Sequence, residues 1–203
     1  MTIDSTTHIL KENNYNPTKT KKNKIIIGHT SSNMMYHIKG WHKRLNGNYK
    51  KTSHFTVSKE GNIYKHFGLD FYSNLMHNEN INKHSIFILI ENEGWLESTK
   101  NKFINYFGDI YNEGDTVFTK TWRNKKYWAP YNEKQIYNCG KLVNYICENL
   151  AIKRKVIEHN TLIDNIYTCE GIYYKSNFER YYTDVSPAWD FKKFKDIIET
   201  KNK

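Results

Sequence analysis

Three prolines, three cysteines and ten glycines among 203 residues leave little of the punctuation that usually separates domains. No Pro/Gly/Ser-rich linker interrupts the chain, so one compact domain is expected rather than two. The cysteines, Cys139, Cys147 and Cys169, are odd in number, and the first two share a helical pattern. Their spacing supports neither a disulfide framework nor a Cys-x-x-Cys zinc knuckle, which leaves buried free thiols as the expectation. Long apolar runs are also missing. None could span a bilayer and none near Met1 has the form of a signal peptide, so synthesis as a soluble cytoplasmic protein is expected, with outside help for any later membrane crossing. Acidic residues are outnumbered, 21 against 31 Lys and Arg, for a formal net charge of +10. That excess implies a general attraction to polyanions. Yet no block of five basic residues occurs, and no helix-turn-helix, finger or aromatic RNA-binding signature supports sequence-specific nucleic-acid reading.

What is present reads as alternating strands and helices. Residues 1–22 mix Thr, Asn and Lys and form an N-terminal extension, mobile or wrapping, ahead of a domain over 23–203. Lys24 to Gly28 is a short β-branched run expected to be a central strand, and Met34, Met35, Ile38, Trp41 and Leu45 recur at helical spacing after it. A hairpin follows, Ser53 to Val57 and Ile63 to Phe67 around Gly61, then a very apolar strand over Ser85 to Ile90. From about 95 to 130 the pattern breaks into aromatic pieces, expected to form a loop or hairpin insertion capping one edge of the sheet. Asn132 is placed to cap a helix running to about Leu150. Val156-Ile157 is expected to be the last strand, and Trp189 to Thr200 a closing helix. The fold class is therefore α/β, a single domain with a mixed central β-sheet flanked by α-helices.

The chemistry-bearing residues are sparse. His29 leaves the first strand, and Asp184 lies shortly before Pro187; together they are candidate ligands of one metal ion. A third ligand from the C-terminal half can only be His159, since the other eight histidines all lie in the N-terminal half. Two histidines and one carboxylate would leave a zinc ion an open fourth position for water, the arrangement of a hydrolytic site. The plainer alternatives are a hydrogen-bonded core histidine, a turn aspartate and a loop histidine.

Several blocks occur in a telling order: Ile25-Ile26-Ile27-Gly28-His29-Thr30, Ser53-His54-Phe55-Thr56-Val57-Ser58-Lys59-Glu60-Gly61-Asn62-Ile63-Tyr64, Met76-His77-Asn78, Asn82 to Gly94, and Thr183-Asp184-Val185-Ser186-Pro187-Ala188-Trp189-Asp190-Phe191. From about Lys24 to Phe194 the chain resembles the zinc-dependent N-acetylmuramoyl-L-alanine amidases, the group that includes short phage endolysins and peptidoglycan recognition proteins. The resemblance implies Zn²⁺ held by His29, His159 and Asp184, peptidoglycan or a muropeptide as partner, and cleavage between muramic acid and the first alanine of the stem peptide. It also implies release to the cell wall through a pore, or carriage in a virion.

Departures from the family pattern are specific. The second histidine usually precedes the last ligand by roughly eight to ten residues, and that distance from Asp184 lands on Tyr174-Lys175. A protonated lysine cannot bind zinc, so either a loop insertion at about 162–181 preserves His159 or the metal site has lost a ligand; the strand-then-histidine form of Val156-Ile157-Glu158-His159-Asn160 favours the insertion. The strand position of a catalytic glutamate is Leu89, the place of a helpful tyrosine is Ser53, and a lysine two residues before the last ligand is replaced by Tyr182. Glu91, two residues beyond Leu89 on the same face of an extended strand, is the expected substitute base. Lys175, Arg180 or Tyr182 would donate to a developing oxyanion. Ser53, His77 and Trp128 are candidates for the substrate side, with Trp122 as a further groove wall. Loss of the usual assistants raises an alternative on the same fold: a peptidoglycan-binding module that no longer cleaves.

Overall fold

All six residues of Lys24–His29 are buried, as a strand flanked on both sides and covered on both faces must be. In the computed structural model, which describes residues 1–100, 102–111, 116–165 and 167–200, this run is β2. Before it comes the short strand β1 (Ile3–Asp4), and after it α1 (Met34–Lys43), β3 (Phe55–Val57), β4 (Ile63–Lys65), α2 (Glu79–His84) and β5 (Ser85–Ile90). Five strands follow in an inserted region: β6 (Trp95–Thr99), β7 (Lys102–Ile104), β8 (Ile110–Tyr111), β9 (Phe118–Trp122) and β10 (Lys125–Trp128). The chain closes with α3 (Glu133–Leu150), β11 (Gly171–Tyr174) and α4 (Phe191–Glu199).

The main sheet has the order β1-β4-β3-β5-β2-β11, with only the β3–β4 hairpin antiparallel. Side chains alternate across it. Ile25 and Ile27 pack with α3 and α4 residues such as Leu142, Val143, Ile146 and Phe194, whereas Ile26 faces Phe87, Met76 and Tyr173 on the other side. Helix starts are fixed by side chains that accept orphan backbone N–H groups. Asn33 caps α1, Asn132 forms a reciprocal capping box with Gln135 at α3, and Asp190 caps α4. Among the described residues no helix is long and apolar enough to cross a membrane.

The N-terminal segment wraps. Asn14 donates its amide to the carbonyls of Trp41, Gly47 and Tyr49, and Tyr15 stacks on Phe67 and Phe71. Beneath it lie two fully buried histidines. His54 is bonded between the Phe71 carbonyl and the Phe87 N–H, and His66 between the His8 carbonyl and the Thr56 hydroxyl.

Two expectations are corrected. The strands β6 to β10 do not merely cap an edge; they build a second, antiparallel sheet of their own, ordered β8-β7-β6-β10-β9. The last strand of the main sheet is β11, inside the segment read as a loop insertion, while Val156 makes only an isolated bridge to Ile172. The reason is register: Gly171 to Tyr174 pair in parallel with Lys24 to Ile27 and so take the edge of β2, leaving Val156 one position further out.

Candidate functional site

The parallel strands β2, β5 and β11 end together, and the loops beyond their C-terminal ends are where α/β sheets place ligands. His29 is the last residue of β2, Lys175 the first after β11, and Asp184 lies in the loop leading to α4. The fold brings these three into contact. The Asp184 carboxylate accepts the backbone N–H of His29 at 3.3 Å and the Lys175 ammonium at 2.9 Å through the same oxygen, Oδ2. Both partners of the ion pair are largely shielded, with side chains 14% and 6% exposed.

Local sequence explains the close approach. A Cβ at Gly28 would lie 2.6 Å from Asp184 Oδ2, 2.6 Å from Lys175 Cδ and 3.1 Å from Leu89 Cδ2. Only glycine lets the lysine stem and the carboxylate cross the strand there, above the Leu89 side chain. The Tyr182 ring lies 4.5 Å from the Lys175 ammonium and supplies a cation–π contact. Burial would raise the Asp184 carboxyl, but the Lys175 ammonium and the His29 N–H outweigh it and hold it below the usual carboxylate range.

His29 is a neutral imidazole held on two sides. Burial pushes it down to about 4, against the pull of Asp184. Its Nδ1 is 3.0 Å from the Tyr131 hydroxyl. Its Nε2 edge is backed by Gly94, where a Cβ would stand 2.7 Å away. Neither Tyr131 nor Gly94 was singled out from sequence, where nothing in the run Ala129-Pro130-Tyr131 marks the tyrosine as a neighbour of His29.

His159 does not join them as a third donor. Its Nε2 donates to the Val185 carbonyl at 2.9 Å, and its ring is packed at a tilt between Trp122 and Phe191, with centroids 4.4 and 4.2 Å away. Burial lowers it to about 4. Among the described residues no group of three or more His, Cys, Asp and Glu side chains is arranged to hold a metal ion. As arranged, the donors do not fit zinc, because the Asp184 carboxylate is paired with the Lys175 ammonium and the His159 Nε2 is bonded to the Val185 carbonyl.

The remaining candidates separate cleanly. Glu91 lies just past the end of β5, so the strand alternation that aligned it with Leu89 no longer applies. Its two carboxylate oxygens accept the N–H groups of Met34 and Lys59, each at 2.8 Å, which ties α1 to the β3–β4 turn and leaves no free base. Ser53 is buried and donates to the Phe55 carbonyl. Trp128 is buried inside the inserted sheet, its indole N–H on the Lys120 carbonyl. These two therefore stabilise the fold and line no groove. His77 stays at the surface, edge-on to Tyr181 at 6.2 Å. Lys175 and Tyr182 are at the centre, and Arg180 is on the exposed side of the same loop.

A residue missed from sequence organises that loop. Arg123, at the tip of the β9–β10 hairpin, donates to the carbonyls of Ser176, Glu179 and Tyr182. Arg123 and Asn124 both have positive φ, 50° and 62°, the mark of a tight two-residue hairpin turn. The inserted sheet thus latches the segment that carries Lys175 and Tyr182.

With this geometry in place, comparison with known proteins gives a consistent answer. The sequence profile described as N-acetylmuramoyl-L-alanine amidase matches residues 9–172. Among solved structures, an N-acetylmuramoyl-L-alanine amidase, LysC from Clostridium intestinale URNW, is similar with a TM-score of 0.57 at 14% identity, covering 100% of this chain and 97% of that one. A mutant endolysin from Bacillus subtilis has a TM-score of 0.57 at 16% identity, covering 98% and 99%. The catalytic domain of XlyA has a TM-score of 0.57 at 15% identity, again covering 98% and 99%. No curated protein matches in sequence.

Proposed function

We propose, from the premise that this chain belongs to the N-acetylmuramoyl-L-alanine amidase family, that it recognises peptidoglycan fragments at the end of the β2–β5–β11 strands without hydrolysing them at a zinc ion. The observation that carries this reading is the buried Lys175–Asp184 pair. Its ammonium supplies, from within the chain, a positive charge against the carboxylate, and it does so where the family spacing asks for a metal-binding histidine. Three further features support a recognition role. Leu89 stands where relatives carry a carboxylate and is buried among Met34, Ile38 and Trp41. Glu91 is committed to two backbone amides, and His159 to a carbonyl and two aromatic rings.

The alternative is the zinc amidase, with Zn²⁺ held by His29, His159 and Asp184 and water attacking the muramoyl-L-alanine bond. The contact between His29 and Asp184 favours it. It requires Lys175 to leave its carboxylate and His159 to leave the Val185 carbonyl. Incubating purified protein with insoluble peptidoglycan separates the two. Sedimentation of the protein with the wall, and no free stem peptide by mass spectrometry, is the expected result. Abundant stem-peptide release together with stoichiometric zinc in the protein would overturn it.

A further inference from the structure

The positive charge of the chain is not spread along it. Between Glu12 and Glu60 there is no aspartate or glutamate, against ten lysines and arginines, so this stretch alone equals the formal net charge of +10 and the remainder is balanced. Part of that charge is engaged within the fold: Lys22 and Lys24 are buried, Lys19 faces Asp70 and Lys50 donates to Asn16. What stays outside gathers on α1 and the turn after it. Lys39, Lys43 and Arg44 are exposed there, and none has a carboxylate partner among the described residues.

The same surface carries exposed apolar side chains. Because α1 buries Met34, Ile38 and Trp41 in a cluster with Phe67 and Leu89, helical spacing turns Met35, Tyr36, Lys39, His42 and Lys43 outward together. Met35 is 54% exposed and Tyr36 61%. An open groove of about 520 Å³ lies along this side, bordered by His8, Met35, Tyr36, Ile38, Lys39 and His42. Just past the helix end Leu45 is 71% exposed, more than any other large apolar side chain among the described residues. Its φ of 50° is in the left-handed region, which leucine rarely adopts. The turn is tied down nonetheless: the Asn48 backbone N–H and side-chain amide both donate to the Leu45 carbonyl, and Asn14 donates to the Gly47 carbonyl. A bonded turn therefore holds the leucine out.

We propose that this face docks on an anionic lipid bilayer, with Leu45, Met35 and Tyr36 entering the boundary between headgroups and acyl chains and Lys39, Lys43 and Arg44 at the level of the phosphates. Charge complementarity selects an anionic surface, and no carboxylate of the Glu12-to-Glu60 interval is pressed against it. The apolar side chains select a lipid one. A nucleic acid or a soluble phosphate polymer would satisfy the cations but leave Leu45 and Met35 in water, whereas a bilayer surface accommodates both, and a tyrosine ring suits its interface. A second copy docking symmetrically through this face would set like charges against each other. The contact is peripheral, since α1 keeps its place in the fold, and it does not depend on how the Lys175–Asp184 centre meets peptidoglycan.

The test is sedimentation of the full chain with vesicles of phosphatidylcholine alone, or of phosphatidylcholine and phosphatidylglycerol in equal parts. The parent is expected to pellet with the mixed vesicles, to stay in solution with the neutral ones and to be released by salt. Lys39→Glu combined with Lys43→Glu should weaken the apparent affinity by more than about tenfold, a cation near such a surface being worth about fivefold. Leu45→Asn, which keeps a residue tolerant of left-handed backbone, should weaken it by about fivefold or more through lost apolar burial. All three positions are exposed, so thermal melts matching the parent confirm that both variants are folded. Failure of the parent to pellet with the mixed vesicles, or equal pelleting with neutral ones, would overturn the proposal. Parent-like affinity in both variants would overturn it by placing the contact elsewhere. Loss of binding in the lysine variant alone, with the parent binding a soluble glycerol phosphate oligomer as well as it binds vesicles, would overturn it in favour of a polyanion.

Discussion

At the end of β11 a lysine lies against a buried carboxylate, 2.9 Å away, while in the loop between them in sequence Arg180 is exposed to solvent with no acidic partner among the described residues. The same loop therefore carries cations in opposite situations. In the centre, two charges removed from water depend on each other: the pair adds little net stability, but losing one member leaves the other buried and uncompensated. At Arg180 the charge is solvated and contributes almost nothing to folding. The contrast shows which basic residues belong to the architecture and which are available for recognition, a distinction that the net charge of +10 cannot make.

The comparison breaks most visibly at Lys175. Lys175→Met is expected to lower stability by about 3–5 kcal/mol, because Asp184 would keep its burial and lose its counter-ion. Adding Asp184→Leu should restore much of that loss. Thermal or urea denaturation reads both, and a loss under 1 kcal/mol would mean that the pair is not buried in solution.

Acid should then attack a different layer of the molecule. Burial holds His66 down to about 4 and His54 well below its usual value, so both are neutral when folded. On unfolding they take up protons below about 6.5, so the unfolded state binds more protons and stability falls as pH drops from there toward 4. For His66 alone the loss across that window is roughly 3 kcal/mol. Asp184, held below the ordinary carboxylate range, contributes stability that is present above that range and is lost only as pH falls through its own lower folded value. Urea midpoints at pH 7, 5.5 and 4.5 check this order. A flat profile down to pH 4.5 would contradict the buried histidine layer.

Metal addition sharpens the reading of Lys175. The parent chain is expected to show no zinc-dependent change in melting temperature. Lys175→His places a third donor, a neutral imidazole, beside His29 and the Asp184 carboxylate, and zinc at about a hundred times its dissociation constant should stabilise that variant by about 2.7 kcal/mol. A zinc-induced rise in the parent chain would favour the amidase alternative. Gly28→Ala tests the crossing point itself. The new Cβ would meet the lysine stem and the carboxylate at 2.6 Å, and overpacking of this kind costs about 1–3 kcal/mol, read by thermal melting. The smallest effect belongs to the exposed arginine: Arg180→Glu should change stability by less than about 0.5 kcal/mol, read by thermal melting.

Much of this architecture was legible before the structure. The β-branched run of β2, the Gly61 hairpin and the Asn132 cap are local signals, and each element formed where its pattern placed it. The replacements at Leu89 and Tyr182, and the spacing that lands on Lys175, are equally local, and they pointed to the centre. Reading β11 failed because Val156-Ile157 and Gly171-Ile172-Tyr173-Tyr174 are both short apolar pieces, and only pairing with β2 decides between them. Glu91 failed for a related reason: it lies past the strand end, where its carboxylate turns to the Met34 and Lys59 amides.

By itself, then, the sequence determined the family and the order of the main elements, and it marked His29 and Asp184 as partners while choosing His159 as their third member, because apolar periodicity, caps and motif spacing are short-range properties of the chain. Tertiary structure alone decided that the lysine lies on the aspartate, that His159 packs between two aromatic rings, and that Arg123 is bound to three carbonyls while Arg180 has no acidic partner among the described residues. Those outcomes depend on contacts between segments more than a hundred residues apart in one case, His29 with Asp184, and on burial, which sets whether a charge is neutralised or left for a ligand.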